Sequence, residues 1–83
     1  MSQLVLEVPN ETLDALQLSP DEFSEELRMA AAAKLYELGR LSSGAAAVLA
    51  GVPRVVFLSR LSEYGVDTFR LGEEDLLRET RLA

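Results

Sequence analysis

The groups best suited to chemistry in this 83-residue sequence are its arginines and serines, because histidine and cysteine are both absent. Their absence leaves no imidazole acid/base, no thiolate and none of the usual zinc ligands. Three carboxylates, Glu22, Glu25 and Glu26, lie close enough together for a catalytic or metal-binding reading. They sit at the expected start of a helix, however, where capping and solvation account for acidic side chains. No glycine-rich phosphate cradle is present, so no nucleotide cofactor is expected and the chain does not read as an enzyme. Recognition is the chemistry that remains. Arg40, Arg54 and Arg60, with Ser43, Ser59 and Ser62, fall in one stretch. Guanidinium and hydroxyl groups suit guanine edges and backbone phosphates.

The charge distribution sharpens that reading. Net charge is −6, which by itself argues against nucleic acid. Residues 1–39 carry eight acids against Arg28 and Lys34, a balance of −6. Residues 40–64 carry three arginines against Glu63, a balance of +2. Residues 65–83 carry five acids against three arginines, a balance of −2. The locally basic segment is therefore the one that holds the candidate recognition residues.

The elements that must position these residues are legible as local signals. Ser42 is placed to cap a short helix of small residues ending at Ala50. Ala47 and Gly51 stand where a helix-turn-helix needs a small crossing residue and then a glycine at positive φ. Val52 follows to tuck beneath the pair, and Phe57 and Leu61 turn the second helix inward, ending at Tyr64-Gly65. The outer face then carries Arg54, Val55, Leu58, Ser59 and Ser62, with Arg60 at its flank. Val55 and Leu58 suit a protein partner better than a phosphate, so they are the candidate contacts for a second reading, a protein-interaction module built on a helix-turn-helix scaffold.

Upstream, Ser19-Pro20-Asp21-Glu22 predicts a capping box with proline at the first helical position. A helix of about five turns follows, stopped by Gly39. Phe23, Leu27, Ala30, Ala31, Leu35 and Leu38 form its expected apolar stripe, widened by Met29, Ala33 and Tyr36. Further upstream, Leu4, Leu6 and Val8 alternate with Gln3, Val5 and Glu7, which predicts a short strand ended by Pro9. Its pairing partner is either a second short strand near residues 66–71 or the same strand of another copy. Asn10 is expected to cap a short helical turn. Downstream, VDTFRL is weakly strand-like and EEDLLRETRL is helical. Leu76 and Leu77 there are read either as contacts to a partner or as the face of a C-terminal helix packed on the main body.

The fold class is thus mainly α: a short N-terminal strand, a long helix, a helix-turn-helix and a C-terminal helix, in one domain spanning 1–83. The sequence is 48% apolar, either because alanine inflates the count or because some apolar surface is kept for a partner or a second copy. The start, MSQLVLEVP, lacks the basic flank and long apolar core of a signal peptide. The apolar run from Gly44 to Pro53 is too short to span a bilayer. A cytoplasmic protein without membrane contact is expected.

The central stretch is similar to small bacterial and archaeal proteins of uncharacterised protein family 0175, which share a pattern resembling LSxGxAAxxAGxxRxxFLxxLxxxG. Here it comprises Leu41, Ser42, Gly44, Ala46, Ala47, Ala50, Gly51, Arg54, Phe57, Leu58, Leu61 and Gly65. Val8-Pro9, the Ala32–Gly39 segment AAKLYELG and Glu73-Glu74-Asp75-Leu76 also resemble the family. The resemblance implies an antitoxin-like protein, often paired with a PIN-domain-like toxin, with a helix-turn-helix of DNA-binding type. A homodimer on a two-fold DNA operator is then expected. Family members often open the second helix with serine where this chain has Pro53, which removes a capping and phosphate-reaching hydroxyl.

Overall fold

The computed structural model describes residues 2–67, and these form four α-helices and a closing 3-10 turn. Helix α1 (Asn10–Leu16) starts directly after Pro9 without a side-chain cap, so Asn10 is the first helical residue and not the cap. It ends at Gln17, which takes a left-handed φ of 58°. Helix α2 (Pro20–Glu37) begins with the complete capping box. The Ser19 hydroxyl accepts from the Glu22 amide at 3.2 Å, and the Glu22 carboxylate accepts from the Ser19 amide at 3.0 Å. Those bonds hold the Glu22 carboxyl below its ordinary pKa. Gly39, at φ 76°, lets the chain leave the helix. Its amide and that of Arg40 bond back to the carbonyls of Tyr36 and Leu35.

Helix α3 (Ser43–Ala50) and helix α4 (Arg54–Arg60) follow, and Leu61–Tyr64 continue as the 3-10 turn up to Gly65. The core is shared by α2, α3, α4 and the turn: Met29, Ala32, Ala33, Tyr36, Ala46, Ala47, Phe57, Leu61 and Val66 are all buried. The Tyr36 and Phe57 rings meet edge to face, with centroids 5.7 Å apart at 82°. Small residues on both α2 and α3 set this arrangement. Ala32, Ala33, Ala46 and Ala47 let two backbones approach closely and bury the larger Met29, Phe57 and Leu61 around the crossing.

Two expectations are corrected here. The buried stripe of α2 is Met29, Ala32, Ala33 and Tyr36, whereas Leu27 and Leu38 are 37% and 59% exposed. Helix α2 has apolar residues on more than one side, so the bulk of its leucines did not identify the core face. The small side chains did, because only they permit the close approach of α3.

The N-terminal strand is not formed. Residues 2–9 adopt no regular structure, and Leu4, Val5 and Leu6 are exposed at 87%, 92% and 62%. The alternating pattern is present, but no described strand lies beside it, and an unpaired strand cannot satisfy its backbone. Val66 is buried in the helical core and belongs to no strand. The remainder of the second strand expected near 66–71, and the expected C-terminal helix with Leu76 and Leu77, fall outside the described residues.

Candidate nucleic-acid interface

Helices α3 and α4 cross at 90°, within the range of about 90–120° that helix-turn-helix units adopt. The turn is built as its residues dictate. The Ser42 hydroxyl caps α3 by accepting from the Ala45 amide at 3.2 Å. Gly51 takes φ 77°, and its amide and that of Val52 bond to the Ala47 carbonyl at 2.9 and 3.1 Å. A left-handed φ here is strained for any side-chain-bearing residue. Val52 packs partly buried against the core, and Phe57 and Leu61 anchor the second helix with no exposed surface. Pro53 sits at the cap position of α4, one place before the helix proper, and supplies no side-chain cap.

Of the basic residues, Arg54 is the one most firmly placed. Its Nε donates to the Ser43 hydroxyl at 2.6 Å. Ser43 is the first residue of α3 and is fully buried. The structure therefore joins two of the expected contact residues, but it changes the role of one. Ser43 is not an outward phosphate donor; its hydroxyl ties the first residue of the second helix to the first residue of the first. This is a correction with a simple cause. Ser43 lies on the same inward face of α3 as Ala46 and Ala47, at helical spacing.

Arg60 is placed less favourably for a polyanion. It donates from Nε to Glu63 at 3.1 Å, and lines a shallow depression with Leu18, Glu22, Glu25 and Glu26. The Glu63 carboxylate, aided by Glu26, holds its guanidinium even more firmly protonated than usual. Beside it, the Tyr64 hydroxyl donates to Glu26 at 2.9 Å. Partial burial first, and then that bond, raise the Tyr64 pKa. The flank of α4 that carries Arg60 thus faces acids.

Arg40 is exposed in the α2–α3 connection, and Ser62 is exposed in the 3-10 turn. Ser59 is exposed too, but its hydroxyl donates back to the Val56 carbonyl at 2.8 Å. Val55 stands 78% exposed, as its outward position predicts. Leu58 does not, because it is half-buried and packs against the core. The expected partner contact at Leu58 is corrected accordingly. In its place the structure exposes Val48, on α3, at 75%.

One residue at this site was not legible in the sequence. Arg28, on α2, reaches across to α3 and donates from Nε to the Leu49 carbonyl at 2.8 Å. Its guanidinium lies over the Gly51 turn. A contact across 21 residues leaves no local spacing signal. Among the described residues no group of three or more acidic side chains is arranged to hold a metal ion. No single helix there is long and apolar enough to cross a membrane.

Three comparisons complete the picture. The model of a family described as "Uncharacterised protein family (UPF0175)" matches residues 1–83. A curated relative, a "UPF0175 protein" of Aeropyrum pernix, is 33% identical over 81 residues, covering 98% of this chain and 85% of the relative. No solved structure gives a significant match.

Proposed function

The chain belongs to the uncharacterised protein family UPF0175, and from that footing we propose that it is a DNA-binding, antitoxin-like regulator. The observation that carries this reading is the clamped helix-turn-helix: two short helices at 90°, with Arg54 held by Ser43 at the start of the second. Arginine pre-set in this way suits a guanine edge or a phosphate, since its rotamers are already restricted. The locally basic composition of residues 40–64 within an acidic chain supports the same reading. In this proposal Arg54 and Arg40 touch DNA, Ser59 and Ser62 add polar contacts, and Arg60 contributes least, because Glu63 already holds it. The chain acts in the cytoplasm as a homodimer on a two-fold operator. The resemblance described above suggests a PIN-domain-like toxin as its protein partner.

Gel-shift titration of a duplex from its own promoter region, at several salt concentrations, tests this directly. Binding should weaken steeply with salt. Arg54→Ala should cost about 1–3 kcal/mol of affinity. No shift at low salt, with or without the neighbour-encoded protein, would sink the idea.

A second reading, a protein-interaction module on the same scaffold, is favoured by the exposure of Val48 and Val55. It predicts co-purification with a partner that survives Arg54→Ala and is lost on Val55→Asp.

A further inference from the structure

Four arginines lie among the described residues, and they differ in what occupies them. Arg60 is paired with a carboxylate. Arg54 is bound to a buried hydroxyl. Arg40 stands in an exposed loop. Arg28 is exposed, yet its position is fixed. Its Nε is committed to the Leu49 carbonyl near the end of α3, and no ion pair holds it among the described residues. A Cβ built on Gly51 would stand 3.6 Å from its Nη2 and 3.8 Å from its Nη1. The flat guanidinium therefore rests on the turn between the two helices, and its Nη groups have no acceptor among the described residues.

We infer that Arg28 is a backbone-phosphate anchor of the DNA interface, contributed from outside the helix-turn-helix. The inference rests on the DNA-binding reading above and extends it to a residue on another helix. Three features carry it. The guanidinium presents paired N–H groups, which match two oxygens of one phosphate. Its tether to Leu49 removes much of the side-chain entropy that a free arginine would lose on binding. Its place over Gly51 puts it at the turn that leads, three residues later, into Arg54. The competing role is purely structural: a cation closing the C-terminal end of α3, where the helix dipole is negative. Arg28 plays that role in either case; the inference is that the outer nitrogens have a second one.

The two roles separate by salt dependence. A phosphate contact releases about 0.9 counterion, and it acts on every duplex alike because phosphates carry no sequence information. Fluorescence anisotropy would follow binding of the whole chain to its own promoter duplex and to an unrelated duplex over a salt series. For Arg28→Gln, a several-fold loss is expected on both duplexes, with the log–log salt slope reduced by about 0.9. Arg28→Lys loses the Nε bond to Leu49 but keeps the charge, so its slope should match that of the parent. Should Arg28→Gln fail to fold by circular dichroism, arginine-specific modification of the parent chain by phenylglyoxal decides: protection of Arg28 by both duplexes supports the inference, and unchanged reactivity of Arg28 on a bound duplex overturns it. An unchanged slope in Arg28→Gln, or a loss confined to the promoter duplex, also overturns it. A parent chain that binds neither duplex removes the DNA-binding reading itself, an outcome plainly different from a parent that binds and a variant that binds equally well.

Discussion

The helix-turn-helix and the N-terminal segment are both rich in leucine, valine and alanine, and the molecule treats the two sets in opposite ways. On the inward side of the helix-turn-helix, apolar side chains of very different size, Ala46, Ala47, Phe57 and Leu61, are packed to near-zero exposure, and Val48 and Val55 are left outside. In the N-terminal segment, Leu4, Val5, Leu6 and Leu16, residues of the same hydrophobicity, stand in solvent, and Val8 and Leu13 are only half-buried. Leu4, Leu6, Val8, Leu13, Phe23 and Leu27 line an open groove of about 400 Å³ instead of a core. Hydrophobicity is therefore not what separates the regions. The difference is geometric. The alanines of α2 and α3 allow two helices to close on each other, whereas the N-terminal residues and the start of α2 leave an open groove between them. An exposed apolar set of this kind is unusual for a monomer and accords with the proposed second copy or partner.

Three substitutions would sharpen or break that contrast. The largest effect is expected for Phe57→Ala, which opens a cavity under the Tyr36 ring. It should cost about 3–5 kcal/mol, enough in a chain of this size to leave it largely unfolded in urea or thermal melts. A loss below ~1 kcal/mol would show that the helix-turn-helix core is looser than its burial indicates. Ala46→Leu should come next, at about 1–3 kcal/mol, by forcing α2 and α3 apart. If it were neutral in the same melts, close approach would not be what selects the buried face of α2. The smallest effect is expected for Leu6→Ser. In dilute protein its melting should stay within about 0.5 kcal/mol of the parent. A larger loss that grows with protein concentration would mean that another copy covers the groove, and the contrast between the two regions would then belong to the isolated chain alone.

Some of this was readable from residue types at fixed spacing. The Ser19–Glu22 box, the Ser42 cap and the Gly39 and Gly51 exits are all short-range arrangements. Each is decided within about one helical turn, by the bonds that a backbone end needs. The N-terminal alternation was just as legible but misleading, because a period of two describes one strand and says nothing about a neighbour to pair with. Leu58 failed for a related reason. On a helix of seven residues packed from more than one direction, the wheel does not reveal how wide the buried arc is.

The sequence alone, then, determined the start of α2 and its exit at Gly39, both ends of α3 and the tight turn that joins α3 to α4. The tertiary structure decided which side of α2 is buried and what each cation and acid meets: Arg54 on Ser43, Arg28 on Leu49, Tyr64 on Glu26. Those pairs lie 11, 21 and 38 residues apart. Caps and turns are set by backbone bonding within a few residues. Contacts at such separations follow from how whole helices are oriented, and many different sequences allow the same orientation.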